Sequence, residues 1–324
     1  MSSCRLSEPP PRVADRYLLR EQLADGLLGA VYRARDTNDG SAVAIKLVAP
    51  GPADEHPRDG VVRAEREHAL MSRVRHPLVA RSFEAGEHHR FGYLAMELVA
   101  GEDLCTFINR SVAAADLVSL ERALPIVGQL CLALDSVHAA GLVHRDLKPA
   151  NVMVLPDESI KLIDFGAAQR QSDAFGLWGT PLYIAPEITL RRRVPQASRT
   201  LSDIYSLGVT VYELLTGQEP FDLDADEDMA TQLVSQARQT SHWLGWLRPD
   251  LPESLSVLLR AAMSSDLAQR PPTSRAFYRA FRAAALSWGC REPSRQRTHQ
   301  ARPMARAARP TVPLGVDAPL ARTA

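Results

Sequence analysis

Five side chains in this chain of 324 residues have the types and spacing that phosphoryl transfer from ATP requires. That chemistry needs a carboxylate to orient the accepting hydroxyl, and hard oxygen ligands to hold a divalent cation on the phosphates. Asp146 can be the first; Asn151 and Asp164 can be the second. Lys46 and Lys148 are two of only three lysines, Lys161 being the third, although Lys+Arg totals 38. Arginine has replaced lysine almost everywhere else. The surviving lysines therefore mark places where a compact, mobile ammonium on phosphate oxygens does a job that a planar guanidinium does differently.

Most of these residues sit in one stretch, Leu142 to Glu187, which contains His144-Arg145-Asp146 with Asn151, then Asp164-Phe165-Gly166, then Ala185-Pro186-Glu187. Singly, each triplet is weak, since Asp-Phe-Gly at a strand end is ordinarily a turn. In this order and spacing they resemble the catalytic and activation loops of the eukaryotic-like (Hanks-type) bacterial serine/threonine protein kinases. The resemblance runs from about Tyr17 to Trp288 and implies an α+β, bilobal kinase fold. A small N-lobe (15–97) would hold a five-stranded antiparallel sheet and one helix; a larger, mainly helical C-lobe (101–288) would follow.

What the resemblance implies for the site can be placed residue by residue. The turn Leu23-Ala24-Asp25-Gly26-Leu27-Leu28-Gly29 is similar to the glycine-rich phosphate hairpin, with Ala24 standing where the family has its first glycine. Gly26 and Gly29 keep the close backbone approach to phosphate, and Ala24 implies a stiffer loop with weaker nucleotide binding. Val31, Ala44 and Met153 would sandwich adenine, with Met96 as gatekeeper and the backbone of Glu97 and Val99 at the adenine edge. Lys46 would meet the α/β-phosphates, locked by a Glu of the next helix. The distance to His76-Pro77 favours Glu67 over Glu65. Asp146 would orient the substrate hydroxyl or accept its proton, Lys148 would neutralise charge on the γ-phosphate, and Asn151 and Asp164 would bind Mg²⁺, with Mn²⁺ the alternative. Thr180 would hydrogen-bond Asp146 and Lys148, Asp203 would hold the catalytic-loop backbone, and Arg270 would pair with Glu187. Lys161 has only the role of an exposed strand residue.

These residues need elements to carry them. Apolar runs predict strands at Tyr17–Leu23, Val43–Lys46, Val79–Ala85 and Phe91–Leu98, and a hairpin at Val152–Ile163. Helical periodicity covers 63–75, 124–140 capped by Gly141, 203–215 capped by Gly217, 255–263 and 272–288. Residues 1–14 read as a flexible leader, and 289–324 as a basic disordered tail with seven Arg against two acids from Arg291 onward. Net charge is zero, so nothing global points to nucleic acid or to a membrane surface. Cys4, Cys105, Cys131 and Cys290 have no metal-like spacing and suit a reducing cytosol. No apolar run is long enough to span a bilayer, so a cytoplasmic protein is expected.

Two other readings are a nucleotide-binding module without catalysis, which the altered Ala24 favours, and a small-molecule phosphotransferase. The intact Lys46, Asp146, Asn151 and Asp164 argue against the first. The Gly179-Thr180-Pro181…Glu187 segment, which resembles a peptide-binding loop, argues against the second and for protein substrates. A phosphothreonine-reading protein and a cognate phosphatase are the partners implied by analogy. Between Ala167 and Trp178 the single hydroxyl is Ser172, which implies little dependence on loop phosphorylation.

Overall fold

The computed structural model describes residues 11–26, 29–50, 56, 58–173, 179–190, 194–224 and 227–289. Strands β1 (Arg12–Val13), β2 (Tyr17–Gly26), β3 (Gly29–Asp36) and β4 (Ala42–Val48) run antiparallel in succession. Helix α1 (Asp59–Met71) intervenes before β5 (Ser82–His88) and β6 (Phe91–Glu97), which complete a six-stranded sheet ordered β1-β2-β3-β4-β6-β5. The period of two in β4 divides the core. Val43, Ile45 and Leu47 pack with Val13, Tyr17, Tyr32 and Ala95 on one face. Ala44, Leu94 and Met96 turn to the other face and join a cluster that continues through α1 into the helical lobe. Lys46 lies between Ala44 and Val48 in the same strand.

The sixth strand differs from the five expected. It is β1, inside the stretch that reads as a leader. Its Val13 is fully buried and closes the edge of the outer cluster, a role hidden by the polar, proline-rich residues before it. The rest of the expected leader (1–10) and the tail (290–324) lie outside the described residues.

The second lobe begins with β7 (Glu102–Asp103), α2 (Leu104–Ala113) and α3 (Leu120–Ala139), followed by β8 (Leu142–Val143), β9 (Val152–Val154), β10 (Ile160–Leu162) and β11 (Gln169–Arg170). Then come α4 (Pro186–Thr189), α5 (Leu201–Thr216), α6 (Met229–Arg238), α7 (Leu244–Leu247), α8 (Glu253–Ala262) and α9 (Ser274–Gly289). α5 is buried all round, with every residue from Ser202 to Thr216 shielded, so it forms the centre of the lobe. It stops at Gly217, whose φ of 69° supplies the left-handed cap that other residues adopt only with strain. α3 starts at Leu120, earlier than predicted, because the Ser119 hydroxyl caps it and Pro125 sits inside the helix rather than at its first position. Residues 78–80 are not part of β5; Ala80 N–H bonds Leu162 O at 2.9 Å and Leu162 N–H bonds Leu78 O at 2.8 Å. Among the described residues no helix is long and apolar enough to cross a membrane.

Candidate active site

Lys46 reaches from β4 into the space between sheet and helices and meets two carboxylates. Its Nζ lies 2.9 Å from both oxygens of Glu67, on the buried face of α1, and 2.8 Å from Asp164 Oδ1. Phe165 is fully buried in the same cluster as Leu70 and Met71 of α1, and its N–H points to Glu67 Oε1 at 3.3 Å. Asp164 itself has a φ of 64°, a strained conformation that turns Oδ1 to accept the Gly166 N–H at 2.9 Å.

One ammonium thus faces two carboxylates, and the charges sort accordingly. Burial pulls Lys46 down, but Asp164 and Glu67 outweigh it and hold the ammonium above the usual lysine range. Burial pushes Asp164 up, yet Lys46 keeps it below the usual carboxylate range. Glu67 carries the excess: burial, reinforced by Asp164 and only partly offset by Lys46, pushes it up to about 7.

The loop after β8 brings the second group of residues. Asp146 is 4% exposed. Its Oδ1 accepts from Thr180 N (3.0 Å) and Thr180 Oγ1 (3.1 Å), and its Oδ2 from Asn151 Nδ2 (3.0 Å) and Lys148 Nζ (3.0 Å). Lys148 also donates to Thr180 Oγ1 at 2.6 Å, and Asn151 Nδ2 to the Asp146 carbonyl at 2.7 Å. This loop is anchored from beneath by Asp203 of α5. Its two oxygens accept the N–H groups of His144 and Arg145, both at 2.8 Å, and His138 Nε2 lies 2.8 Å from Oδ2. Burial opposes the ionised form of Asp203, but His138 and the Arg145 N–H outweigh it, so the carboxyl sits below its usual range. Burial lowers His144, whose ring packs edge-on against Phe165 at 5.1 Å.

The predicted adenine-contacting residues lie along the inner face of the sheet, just past β6 and on β9. Ala44 and Met96 are buried there, and Val31 and Val99 pack against the same cluster. Met153 is half-buried on β9, and Glu97 closes β6. Leu23, Ala24, Asp25 and Gly26 form the exposed end of β2, with Ala24 opposite Val31 and Gly26 opposite Gly29. Leu27 and Leu28 lie outside the described residues. Gly29 has a φ of 154°, and a Cβ there would stand 1.7 Å from Leu47 O, so only glycine fits. At the opposite wall, Ser206 Oγ donates to Tyr183 O at 2.8 Å, and Gln236 Nε2 donates to Leu182 O at 2.5 Å and to Tyr205 Oη at 3.0 Å. Sequence reasoning does not find Gln236, because on an amphipathic helix a glutamine reads as surface. It is 2% exposed.

A small antiparallel sheet with one helix, set on a helical lobe around this charged cleft, is the architecture of the protein kinases. The chain belongs to that family: its residues 17–281 match the protein kinase domain. It is similar to the serine/threonine-protein kinase PknA of Mycobacterium tuberculosis, 34% identical over 96% of this chain and 70% of the relative. It is also 32% identical to the serine/threonine-protein kinase Pkn1 of Myxococcus xanthus, over 94% of this chain and 42% of that protein. The crystal structure of the M. tuberculosis PknI kinase domain superposes with a TM-score of 0.64 at 26% identity, covering 84% of this chain and 97% of the other. The protein is an ATP-dependent serine/threonine protein kinase of the bacterial Hanks type.

Proposed function

We propose that this kinase uses Mg²⁺–ATP between a lobe of residues 15–97 and one of 101–288, with Asp146 as the residue that receives the substrate hydroxyl. The saturation of Asp146 carries this reading. A carboxylate offers about four lone-pair sites, and four donors fill them here. The carboxylate is therefore fixed in rotation, and a substrate hydroxyl must displace one donor. Lys148 is the long, flexible one. When its ammonium moves to the γ-phosphate it frees Oδ2 for the hydroxyl, which couples charge compensation to alignment of the nucleophile. Lys46, held by Glu67, positions the α/β-phosphates, and the inner-face side chains of Val31, Ala44 and Met96, with Met153 from β9, cover adenine.

Asn151 and Asp164 suit a hard cation. The Asn151 amide nitrogen is committed to Asp146, which directs its oxygen to the other side, and Asp164 is held ionised. Among the described residues no group of three or more His, Cys, Asp or Glu could hold a metal ion. The pair therefore fits Mg²⁺, or Mn²⁺, sharing its coordination with phosphate and water better than a metal that needs a full protein cage. Such an ion, when bound, neutralises charge on the β- and γ-phosphates.

Substrates are proteins laid against residues 179–187, and autophosphorylation falls on Ser2, Ser3, Ser7, Ser294, Thr298 or Thr311, which lie outside the described residues. A phosphothreonine-reading protein and a cognate phosphatase act on the product, in the cytoplasm. The test is transfer of labelled γ-phosphate to peptides. Asp146→Asn should lose about 10²–10⁴ in rate while keeping its Mg-ATP thermal shift, and Asp164→Ala should lose the magnesium-dependent part of that shift. Equal transfer by Asp146→Asn and wild type would remove Asp146 from its role.

A further inference from the structure

The segment from Asp164 to Glu187 must hold one course if a peptide is to lie against it. Its first half is paired to the lobe by β11, with Gln169 opposite Val143 and Arg170 opposite Leu142. Gln171 N–H extends this ladder to Gly141 O at 2.9 Å. There the ladder ends, and residues 171–173 form a turn. Arg199, in the turn just before α5, takes over. Its Nη1 lies 2.5 Å from the carbonyl oxygen of Gln171 and 2.5 Å from that of Asp173. Ser172, the one hydroxyl between Ala167 and Trp178, lies between the two captured carbonyls.

Four residues further along the same backbone, Asp203 holds the N–H groups of His144 and Arg145. The catalytic loop and the 171–173 turn are thus fastened to one buried helix and the turn that leads into it. The far half is fastened in the same manner: Ser206 and Gln236 donate to Tyr183 O and Leu182 O, and Arg270 grips Glu187. Phosphorylation orders such loops by giving arginine a charged acceptor. Arg199 makes charge-assisted bonds directly to main-chain carbonyls. A phosphate on Ser172 would also stand beside the Asp173 carboxylate, whose Oδ1 is 3.4 Å from Ser172 Oγ, and be repelled by it.

We propose that Arg199 is a positioning residue that holds the 171–173 turn in its substrate-accepting course, so that the kinase works without a phosphate on Ser172. The proposal rests on the assignment of Asp146 as the transfer centre.

The experiment uses the full chain, co-expressed with a phosphatase and shown by mass spectrometry to be unphosphorylated at Ser172. Unphosphorylated wild type and Ser172→Ala should phosphorylate a Ser/Thr peptide at equal rates. Arg199→Gln should lose about tenfold to a hundredfold in kcat/KM for peptide, with KM for ATP unchanged and part of the loss restored in Arg199→Lys. Amide exchange over residues 169–173 should rise in Arg199→Gln and not in Ser172→Ala. Wild-type peptide kinetics in Arg199→Gln, or activity that appears only once Ser172 is phosphorylated, overturns the proposal. If Arg199→Gln loses its cooperative melt, Arg199→Lys decides: a lowered peptide rate with raised exchange supports the role, and wild-type values for both refute it. Inactivity of wild type in either phosphorylation state would instead strike the catalytic assignment.

Discussion

Lys161 Nζ lies 2.5 Å from Glu97 Oε1, at the point where the chain passes from one lobe to the other. The second Glu97 oxygen accepts the Arg81 N–H at 3.2 Å, and the Glu97 N–H bonds Arg81 O at 2.8 Å. Residues 78–81, β6 and β10 are thereby joined at the end of β6. The lysine that reads in the sequence as an ordinary strand residue fastens the hinge. An ion pair that keeps partial solvent access, as this one does, is worth about 0.2–1 kcal/mol. Lys161→Met should therefore weaken Mg-ATP binding about 1.4-fold to fivefold and leave kcat unchanged. Calorimetric titration measures this, and wild-type affinity in both Lys161→Met and Glu97→Gln would detach the pair from nucleotide binding.

Glu67 makes the cleft respond to pH. Its carboxyl is pushed up to about 7, against about 4.3 for an unfolded glutamate. Between those values the folded chain binds a proton that the unfolded chain lacks. This group alone therefore makes the protein less stable as pH rises from about 4.3 to about 7, with no further change above. Activity runs the other way, because protonated Glu67 no longer attracts Lys46, so the rate falls as pH drops through about 7. Glu67→Gln should show neither slope. A melting-temperature difference between variant and wild type that stays constant from about pH 5 to pH 8 would rule Glu67 out as the titrating group.

The Glu187–Arg270 pair is buried, with side-chain exposures of 2% and 0%. Its two bonds are 2.8 and 2.7 Å, and Arg270 also donates to Leu201 O and Ser264 O. Arg270→Met strands a buried carboxylate and should cost about 3–5 kcal/mol in urea unfolding. Glu187→Leu combined with Arg270→Met should cost less than the two single changes added. Simple additivity would show that the partners do not depend on each other.

In the β2–β3 hairpin, Gly29→Ala should drive β3 from β4, since its Cβ would fall inside Leu47 O. A lowered melting temperature and a smaller Mg-ATP shift are expected. Ala24 pairs with Val31 in the exposed end of β2. Ala24→Gly should cost about 0.5–1 kcal/mol in the free protein and enlarge the Mg-ATP shift by letting backbone amides follow the phosphates. Equal shifts in the two variants would separate the hairpin from nucleotide binding.

How much was legible in the sequence depended on what each residue bonds to. Asp146, Lys148 and Asn151 share one short loop, where chemistry demands side-chain types at fixed spacing. Lys46 lies 21 residues from Glu67, so their pairing followed from family resemblance rather than from local pattern, and its contact with Asp164, 118 residues away, was not read from the sequence at all. Arg199, Ser206 and Gln236 stayed hidden because each donates to a main-chain carbonyl, a partner with no side-chain signature. Boundaries slipped for local reasons. Pro125 mimics a helix start, Val79 and Ala80 join Leu162 instead of β5, and β1 follows a proline-rich run.

The lysine inventory has a consequence for covalent modification. Lys46, Lys148 and Lys161 have side-chain exposures of 21%, 8% and 20%, and each is paired to a carboxylate in or beside the cleft. The remaining cationic side chains are guanidinium, which does not undergo acetylation as an ammonium does. Side-chain primary amines are therefore confined to this charged cleft and the end of β6 beside it. An acyl group on Lys46 or Lys148 erases a charge paired to Asp164 or Asp146 and should inhibit transfer, whereas one on Lys161 should only loosen its contact with Glu97.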